Sequence, residues 1–274
     1  MKISSAIVGR EAGPDAQHVD KRWLMAYNAA LGDVSDKPHP LFPVCYEWPA
    51  TQALRKSTGL QEINARLVHA QHELTIHRQP RQEKLLVSGS VVACLQRKPG
   101  TLVVFRFEAK DGKGEPVSTT HYGMLYRGVM LEGGDRSTAS IEDPPRHEQQ
   151  LEPIGDVAVG ATAGHVYTEC ARIWNPIHTD RAVARAAGLP DIILHGTATL
   201  ALAVSRAVGR HPRGPAAPVR SLGCRFGAMV RLPSRLVVRG RASEPTPEGT
   251  RIRFDALVES GQLALRDGVI ALAE

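Results

Sequence analysis

The chain has 274 residues, of which 42% are hydrophobic and 23% charged, a balance that excludes the disordered and the membrane-spanning classes of protein. Its formal net charge of +6 would suit a polyanionic partner such as a phosphate-bearing carrier. The basic residues are scattered and only 5% of the residues are aromatic, so the sequence does not favour nucleic acid.

The N-terminus and the cysteines indicate a cytoplasmic protein. Arg10, Glu11 and Asp15 interrupt the stretch where a secretory signal needs continuous apolar residues. The cysteines at positions 45, 94, 170 and 224 lie far apart without a C-x-x-C pair, which argues against a zinc cluster and against disulfides. The most apolar segment, Ile192 to Val208, is too short and too polar to span a membrane, so we expect a buried helix.

The first half of the chain predicts one helix followed by strands. Val19 to Leu31 places large apolar residues at fourfold spacing and ends before Gly32, which predicts a helix with one apolar face. Lys84 to Val92 and Thr101 to Ala109 have the composition of strands. His69, His72 and His77 lie on another strand-like segment without ligand spacing, and we expect them to be structural or exposed.

A polar, proline-bearing stretch at residues 133–153 lacks sustained periodicity, which predicts a linker. The chain is therefore expected to contain an N-terminal domain at residues 1–132 and a C-terminal domain at residues 154–274. Length permits this division, since 274 residues suffice for two domains of ordinary size.

The second half predicts two helices and repeats the strand pattern of the first. Asp180 can cap a short helix that runs to Ala187, and a buried helix rich in Ala and Leu is expected from about His195 to Ala207. Strands are expected at Arg235 to Arg241, Thr250 to Ala256 and Leu263 to Leu272. The first two resemble Lys84 to Val92 and Thr101 to Ala109 in order and offset. This repeat predicts a duplicated α+β unit in which antiparallel strands wrap one helix, with two unrelated domains as the alternative.

The segment Tyr167 to Leu200 carries the most informative motifs. They are Asn175-Pro176-Ile177-His178-Thr179-Asp180, then Ala187-Gly188-Leu189-Pro190, then Ile193-Leu194-His195-Gly196. This series resembles the MaoC-like (R)-specific enoyl-CoA hydratases and 3-hydroxyacyl thioester dehydratases. Outside it, Arg225-Phe226 with Val230 resembles the strand after the central helix, and Tyr27 to Gly32 with Leu41-Phe42-Pro43 resembles the first half of duplicated members.

The resemblance implies a double hotdog, in which each half is a curved antiparallel sheet around a central helix. The first half is implied to make room for the acyl chain, and the second to carry out reversible hydration of a trans-2-enoyl thioester to its 3-hydroxyacyl form. His178 suits the acid/base task, because an imidazole with a pKa of about 6.5 can activate water. The Gly196 amide, at the N-terminus of a helix, suits polarisation of the thioester carbonyl. Asn175 is expected either to orient water or the thioester, or to form the turn before proline.

One departure from the pattern bears on activity. Active members have the pattern S-G-D-x-N-P-x-H, whereas this chain has Ala171-Arg172-Ile173 in place of the first three residues. Isoleucine cannot exchange a proton. Two carboxylates are possible substitutes for the aspartate, Glu169 and Asp180. On a strand, Glu169 would share a face with Ile173 at a distance of about 13 Å, and Asp180 is explained more simply as a helix cap. Arg172 is expected to form a surface salt bridge or to contact a charged group of the substrate.

Three functions remain open at this stage: a hydratase or dehydratase, a silent subunit that binds acyl thioesters, and a thioesterase. For His195 at the start of the buried helix, we favour a structural role over a catalytic one. No spacing for a metal, nicotinamide or flavin is present, so no cofactor is expected beyond the coenzyme A or acyl carrier of the substrate. Two paired hotdogs within one chain are compatible with either a monomer or a homodimer, and no membrane or nucleic-acid partner is expected.

Overall fold

The structure is a computed structural model that describes residues 1–141, 150–212, 214, 217–242 and 249–273. The chain divides into two compact units, which comprise Met1–Asp20 with Tyr46–Asp143 and Lys21–Cys45 with Pro144–Glu274. The helices are α1 (Lys21–Ala30), α2 (Pro43–Ser57), α3 (Ala163–Ala171), α4 (Arg181–Ala186) and α5 (Gly196–Gly209). None of the helices in these ranges combines the length and hydrophobicity that a membrane-spanning segment needs.

The first unit is built on an antiparallel sheet. Its strands are β1 (Lys2–Ser4), β2 (Glu11–Val19), β3 (Leu67–Ile76), β4 (Glu83–Arg97), β5 (Gly100–Lys110), β6 (Pro116–Arg127), β7 (Met130–Glu132) and β8 (Arg136–Ser137). The sheet order is β2-β4-β5-β6-β3, with β8 added to β4, while β1 and β7 form a separate parallel pair. From Tyr46 onward α2 belongs to this unit, and Tyr46 and Leu54 on it are completely buried. It is the central helix of the first unit.

The second unit has a five-stranded antiparallel sheet with α5 packed on it. The strands are β9 (Glu152–Val159), β10 (Val219–Phe226), β11 (Ser234–Ala242), β12 (Thr250–Val258) and β13 (Leu263–Leu272). Their order, β9-β11-β12-β13-β10, repeats the order β2-β4-β5-β6-β3 of the first unit. The strands matched by sequence, Lys84 to Val92 with Arg235 to Arg241 and Thr101 to Ala109 with Thr250 to Ala256, occupy equivalent positions. Helix α5 is apolar on most of its surface, as a helix wrapped by a sheet requires.

The units differ from the predicted domains in one segment. The helix predicted at Val19 to Leu31 is present as α1 and ends before Gly32, which has a positive φ of 72°. It belongs to the second unit, although residues 1–132 were expected to form the first domain. The reason is the apolar face of α1, because Trp23 is 4% exposed and Tyr27 packs against Tyr167 of α3 with ring centroids 5.7 Å apart.

The predicted linker also contains regular structure. Residues 136–137 form β8, and β9 begins at Glu152, so both ends of the stretch 133–153 take part in sheets. Residues 142–149 lie outside the described part of the chain.

The segment before the N-P-I-H motif is a helix, and its treatment as a strand was wrong. Helix α3 covers Ala163–Ala171 and buries Gly164, Tyr167, Thr168 and Ala171. These positions follow the i, i+3, i+4, i+7 spacing of one helix face. The distance of about 13 Å between Glu169 and Ile173, expected for a strand, therefore does not apply.

Candidate active site

His178 ends a short 3-10 turn that the motif itself dictates. The turn covers Pro176–His178, with Pro176 at its first position, where a missing N–H costs nothing. The backbone N–H of His178 donates to the carbonyl of Asn175 at 3.1 Å. The Asn175 side chain does not cap the turn, so the structure gives it no turn-forming hydrogen bond there. His178 is 8% exposed.

The ring of His178 is held in one tautomer. Its Nδ1 lies 2.8 Å from the carbonyl oxygen of Ile193. A carbonyl only accepts hydrogen bonds, so Nδ1 carries the proton and Nε2 presents a lone pair. Burial lowers the pKa of His178 to about 4, with the Ile193 carbonyl opposing this effect. The side chain is therefore a neutral base at neutral pH.

A second imidazole lies against the first. The rings of His178 and His195 are stacked, with centroids 3.6 Å apart and planes 27° apart. His195 is the residue before α5, and its Nε2 lies 3.2 Å from the hydroxyl of Thr168 on α3. Burial and the neighbouring His178 lower the pKa of His195 well below its usual value. This contact places the His178 ring next to the amino end of α5.

Helix α3 positions both histidines. A Cβ added to Gly164 would lie 2.6 Å from the carbonyl oxygen of His178, so only glycine permits this close approach. One turn later, Thr168 contacts His195. Gly164 and Thr168 were not predicted from the sequence, and the signal that could have indicated them is the helical spacing of the buried residues.

Gly196 begins α5 and is partly exposed. The first N–H groups of a helix have no acceptor within it and carry partial positive charge. A Cβ on Gly196 would meet the ring of Phe226 at 3.2 Å, so glycine also leaves room for this ring. Thr197, the next residue, accepts a hydrogen bond from the Tyr167 hydroxyl at 3.1 Å. Neither Tyr167 nor Thr197 was predicted from the motif.

Ile173 is buried, with 5% exposure, at the position where the pattern S-G-D-x-N-P-x-H has aspartate. Its N–H donates to the Thr168 carbonyl, and the N–H of Arg172 donates to the Glu169 carbonyl, which closes α3. Arg172 stands in the glycine position of the pattern and adopts a φ of 57°. Its guanidinium lies 4.1 Å from the ring centre of Trp23, which is a cation–π contact.

The two carboxylates considered as substitutes for the missing aspartate are both exposed. Glu169 is exposed on α3. Asp180 is exposed and caps α4, since its carboxylate accepts from the N–H groups of Ala182 and Val183. The capping role predicted for Asp180 is therefore what the structure shows, and neither residue replaces the aspartate.

A cleft of about 470 Å³ opens in the second unit close to this site. Its lining residues are Pro190, Ile193, Ala228, Met229, Arg231, Gln262 and Leu263. Ile193 also provides the carbonyl that holds His178. Across the described residues, no three His, Cys, Asp or Glu side chains are grouped to hold a metal ion.

The first unit contains a different polar cluster. Glu47 on α2 is fully buried, and its Oε1 accepts a hydrogen bond from the Thr120 hydroxyl at 2.5 Å. Burial raises the pKa of Glu47 to about 7, although Thr120 and Tyr122 oppose the effect. The ring of Tyr122 packs against His69 and His72, while the Nε2 of His77 lies 2.9 Å from the Thr119 hydroxyl. The structural or exposed roles expected for these histidines fit their positions, and sequence reasoning missed Glu47.

The chain is similar to known proteins over most of its length. Residues 146–261 match the family model of the MaoC like domain. The chain is 23% identical to the peroxisomal multifunctional enzyme type 2 of Mus musculus over 225 residues, covering 80% of this chain and 29% of that protein. It is also 23% identical to enoyl-CoA hydratase 2, peroxisomal, of Arabidopsis thaliana over 215 residues, covering 74% of this chain and 67% of the relative. The chain thus spans under a third of the mouse enzyme.

Solved structures share the fold. A MaoC-like dehydratase from Phytophthora capsici superposes with a TM-score of 0.80 at 19% identity, covering 97% of this chain and 96% of that one. A conserved hypothetical protein from Mycobacterium tuberculosis, described as a double hotdog fold, gives a TM-score of 0.61 at 14% identity, covering 97% and 96%. The chain therefore has the double hotdog fold, and its residues 146–261 are similar to the MaoC like domain.

Proposed function

We propose that the second unit catalyses the reversible addition of water to trans-2-enoyl thioesters, with His178 as its only acid/base side chain. The observation that carries this proposal is the tautomer of His178. The Ile193 carbonyl fixes the proton on Nδ1, and burial keeps the ring neutral. Nε2 is therefore ready to accept a proton at neutral pH.

The proposed reaction uses one proton and one base. In hydration, Nε2 of His178 takes a proton from water while the water oxygen bonds to the β-carbon of the enoyl thioester. The electron pair of the double bond moves toward the carbonyl oxygen and forms an enolate. The imidazolium then returns the proton to the α-carbon, which regenerates the neutral ring and leaves a 3-hydroxyacyl thioester.

The Gly196 amide is the proposed donor to the carbonyl oxygen during this step. Charge develops on that oxygen in the enolate, and a fixed N–H at a helix start stabilises it without reorganisation. His178 lies beside this helix start because its ring is stacked on His195. Asn175, in the same turn as His178, is proposed to orient the water.

Because Ile173 stands in place of the aspartate, we expect the hydration rate to be low. Removal of one member of an acid/base pair costs on the order of 10²–10⁴-fold in rate, and Glu169 and Asp180 do not compensate. The same buried isoleucine favours a second candidate, a subunit that binds acyl thioesters without chemistry. We propose further that the carrier is coenzyme A or an acyl carrier protein and the location cytoplasmic, while monomer and homodimer remain alternatives.

The test mixes the purified protein with crotonyl-CoA and with longer trans-2-enoyl-CoA esters. Absorbance of the conjugated thioester and release of free thiol are followed together. Loss of conjugation without thiol release supports hydration, and His178→Ala should abolish it. The matched control is His165→Ala, since His165 is an exposed histidine on α3.

Three results would contradict the proposal. Thiol release would indicate a thioesterase. Silence in both assays with measurable coenzyme A binding would indicate the binding subunit. Hydration at an unchanged rate in His178→Ala would show that the site is wrongly assigned.

A further inference from the structure

Thr197 follows Gly196 directly at the start of α5. It is the second residue of the helix and is partly exposed. Its oxygen accepts a hydrogen bond from the Tyr167 hydroxyl at 3.1 Å. Because the oxygen serves as acceptor in that bond, the Thr197 proton is directed away from Tyr167 and can be donated to another oxygen.

The hydroxyl of Tyr167 also contacts a second tyrosine, Tyr27. The two hydroxyl oxygens lie 3.2 Å apart, and since each phenol has one proton, the series runs from Tyr27 as donor to Tyr167, and from Tyr167 as donor to Thr197. Both tyrosines are buried, with exposures of 0% for Tyr27 and 1% for Tyr167. Burial raises the pKa of Tyr167, so its hydroxyl keeps the proton that it donates. Consecutive hydrogen bonds polarise one another, which strengthens Thr197 as a donor.

The chain of hydroxyls also borders the histidines. The ring of Tyr167 lies 4.9 Å from the ring of His195, which in turn stacks on His178. The Thr197 hydroxyl, the Gly196 amide and the His178 ring therefore belong to one neighbourhood at the amino end of α5. In this neighbourhood the first N–H groups of the helix already favour a partial negative charge.

We propose that the Thr197 hydroxyl is a second donor to the carbonyl oxygen of the bound thioester, next to the Gly196 amide. Tyr167 and Tyr27 are then positioning residues that orient this hydroxyl. The inference rests on the proposed function, because it concerns the same thioester at the same helix start. Two donors on one oxygen stabilise the enolate more than either donor alone.

Kinetics of crotonyl-CoA hydration provide the first test. Thr197→Val should lower kcat on the order of 10²-fold with little change in KM, because the lost hydrogen bond is strongest when charge develops on the oxygen. Tyr167→Phe should have a smaller effect, and the double variant should be no worse than Thr197→Val alone. The matched control is Thr199→Val on the same helix, since the Thr199 hydroxyl already donates to the His195 carbonyl at 3.1 Å. Its kcat should stay within about twofold.

Infrared spectroscopy tests the hydrogen bond without turnover. The probe is butyryl-CoA labelled with ¹³C at the thioester carbonyl, which has no double bond to hydrate. Binding to the wild type should move the carbonyl stretch to lower wavenumber, and Thr197→Val should reverse part of that shift while Thr199→Val retains it.

The hydration kinetics and the infrared measurement together distinguish failure of the inference from failure of the proposed function. A carbonyl shift that depends on Thr197 in a protein without hydration would support the inference and contradict the proposed reaction. Hydration with a carbonyl shift identical in the wild type and Thr197→Val would overturn the inference alone. Absence of both hydration and a carbonyl shift would overturn both.

Discussion

The two units share one sheet order but differ in the polar groups of their central helices. In the second unit, α5 begins with a partly exposed glycine, and the neighbouring residue His178 is 8% exposed. In the first unit, α2 carries Glu47, which is fully buried and bonded to Thr120. Both groups have shifted pKa values caused by burial. Of these two groups His178 is the more accessible, so under the proposed function access to substrate, rather than the pKa shift, distinguishes the catalytic group from the structural one.

The largest expected effect comes from restoring the missing carboxylate in the second unit. Ile173→Asp should raise the rate of crotonyl-CoA hydration on the order of 10²-fold or more, because it supplies a second acid/base group. Asparagine is similar in size to aspartate but cannot ionise, so the Ile173→Asn variant should hydrate crotonyl-CoA at a rate near that of the wild type. An Ile173→Asp enzyme no faster than Ile173→Asn would show that the aspartate is not what limits this chain.

The next effect tests whether Glu47 of the first unit is structural. Its folded pKa of about 7 lies above the unfolded value of 4.5, so its contribution to stability is fully present below pH 4.5 and is lost as the pH rises through 7. The loss corresponds to about 3 kcal/mol. Glu47→Gln keeps an acceptor for Thr120 and should remove this loss, so urea unfolding should show the variant to be more stable than the wild type at pH 8 and similar at pH 4.5.

Activity provides the control for Glu47. Because the first unit is not expected to perform the chemistry, Glu47→Gln should hydrate crotonyl-CoA at the wild-type rate. A marked fall in kcat with intact stability would overturn the distinction between the two units.

A smaller effect tests how α3 positions His178. Gly164→Ala places a Cβ 2.6 Å from the His178 carbonyl oxygen, so the turn must shift. A displacement of this kind costs up to about 10²-fold in rate. The control is Gly209→Ala at the end of α5, where an added Cβ meets nothing within 4 Å. A Gly164→Ala enzyme with unchanged kcat would mean that the position of this turn does not limit catalysis.

The smallest effect concerns Arg172. Its positive φ costs about 1 kcal/mol in a residue other than glycine, and its contact with Trp23 returns about 0.5–1 kcal/mol. Arg172→Ala should therefore lose that contact and destabilise the protein by about 0.5–1 kcal/mol, whereas Arg172→Gly should change the free energy of unfolding by less. Denaturant unfolding measures both, and a larger loss for the glycine variant would contradict this explanation.

Much of the fold could be predicted from local patterns. The strand Leu263–Leu272 and the helix at Gly196–Gly209 follow directly from alternation and from a long apolar run. The repeated strands predicted the duplication, because equivalent positions in equivalent sheets need similar residues. Helix α2 escaped prediction since it is buried on nearly all sides and contains Pro49, so it shows neither one apolar face nor typical composition.

The candidate site could be predicted only in part from the sequence. The motif identified His178, Asn175 and Gly196, and the structure brings the His178 ring next to the helix that Gly196 begins. Thr168, Tyr167 and Thr197 were not predicted, because their contacts join α3 to the start of α5 and no local pattern encodes such contacts. The assignment of α1 to the second unit depends in the same way on packing between Tyr27 and Tyr167.

The most direct test of the single-base account is the pH dependence of kcat/KM for crotonyl-CoA hydration, corrected for the residual rate of His178→Ala. Since the pKa of His178 is lowered to about 4, Nε2 stays unprotonated and kcat/KM should be constant from about pH 5.5 to pH 8. A fall in kcat/KM as the pH drops through about 6.5 would reveal an ordinary, solvated imidazole and would contradict the account.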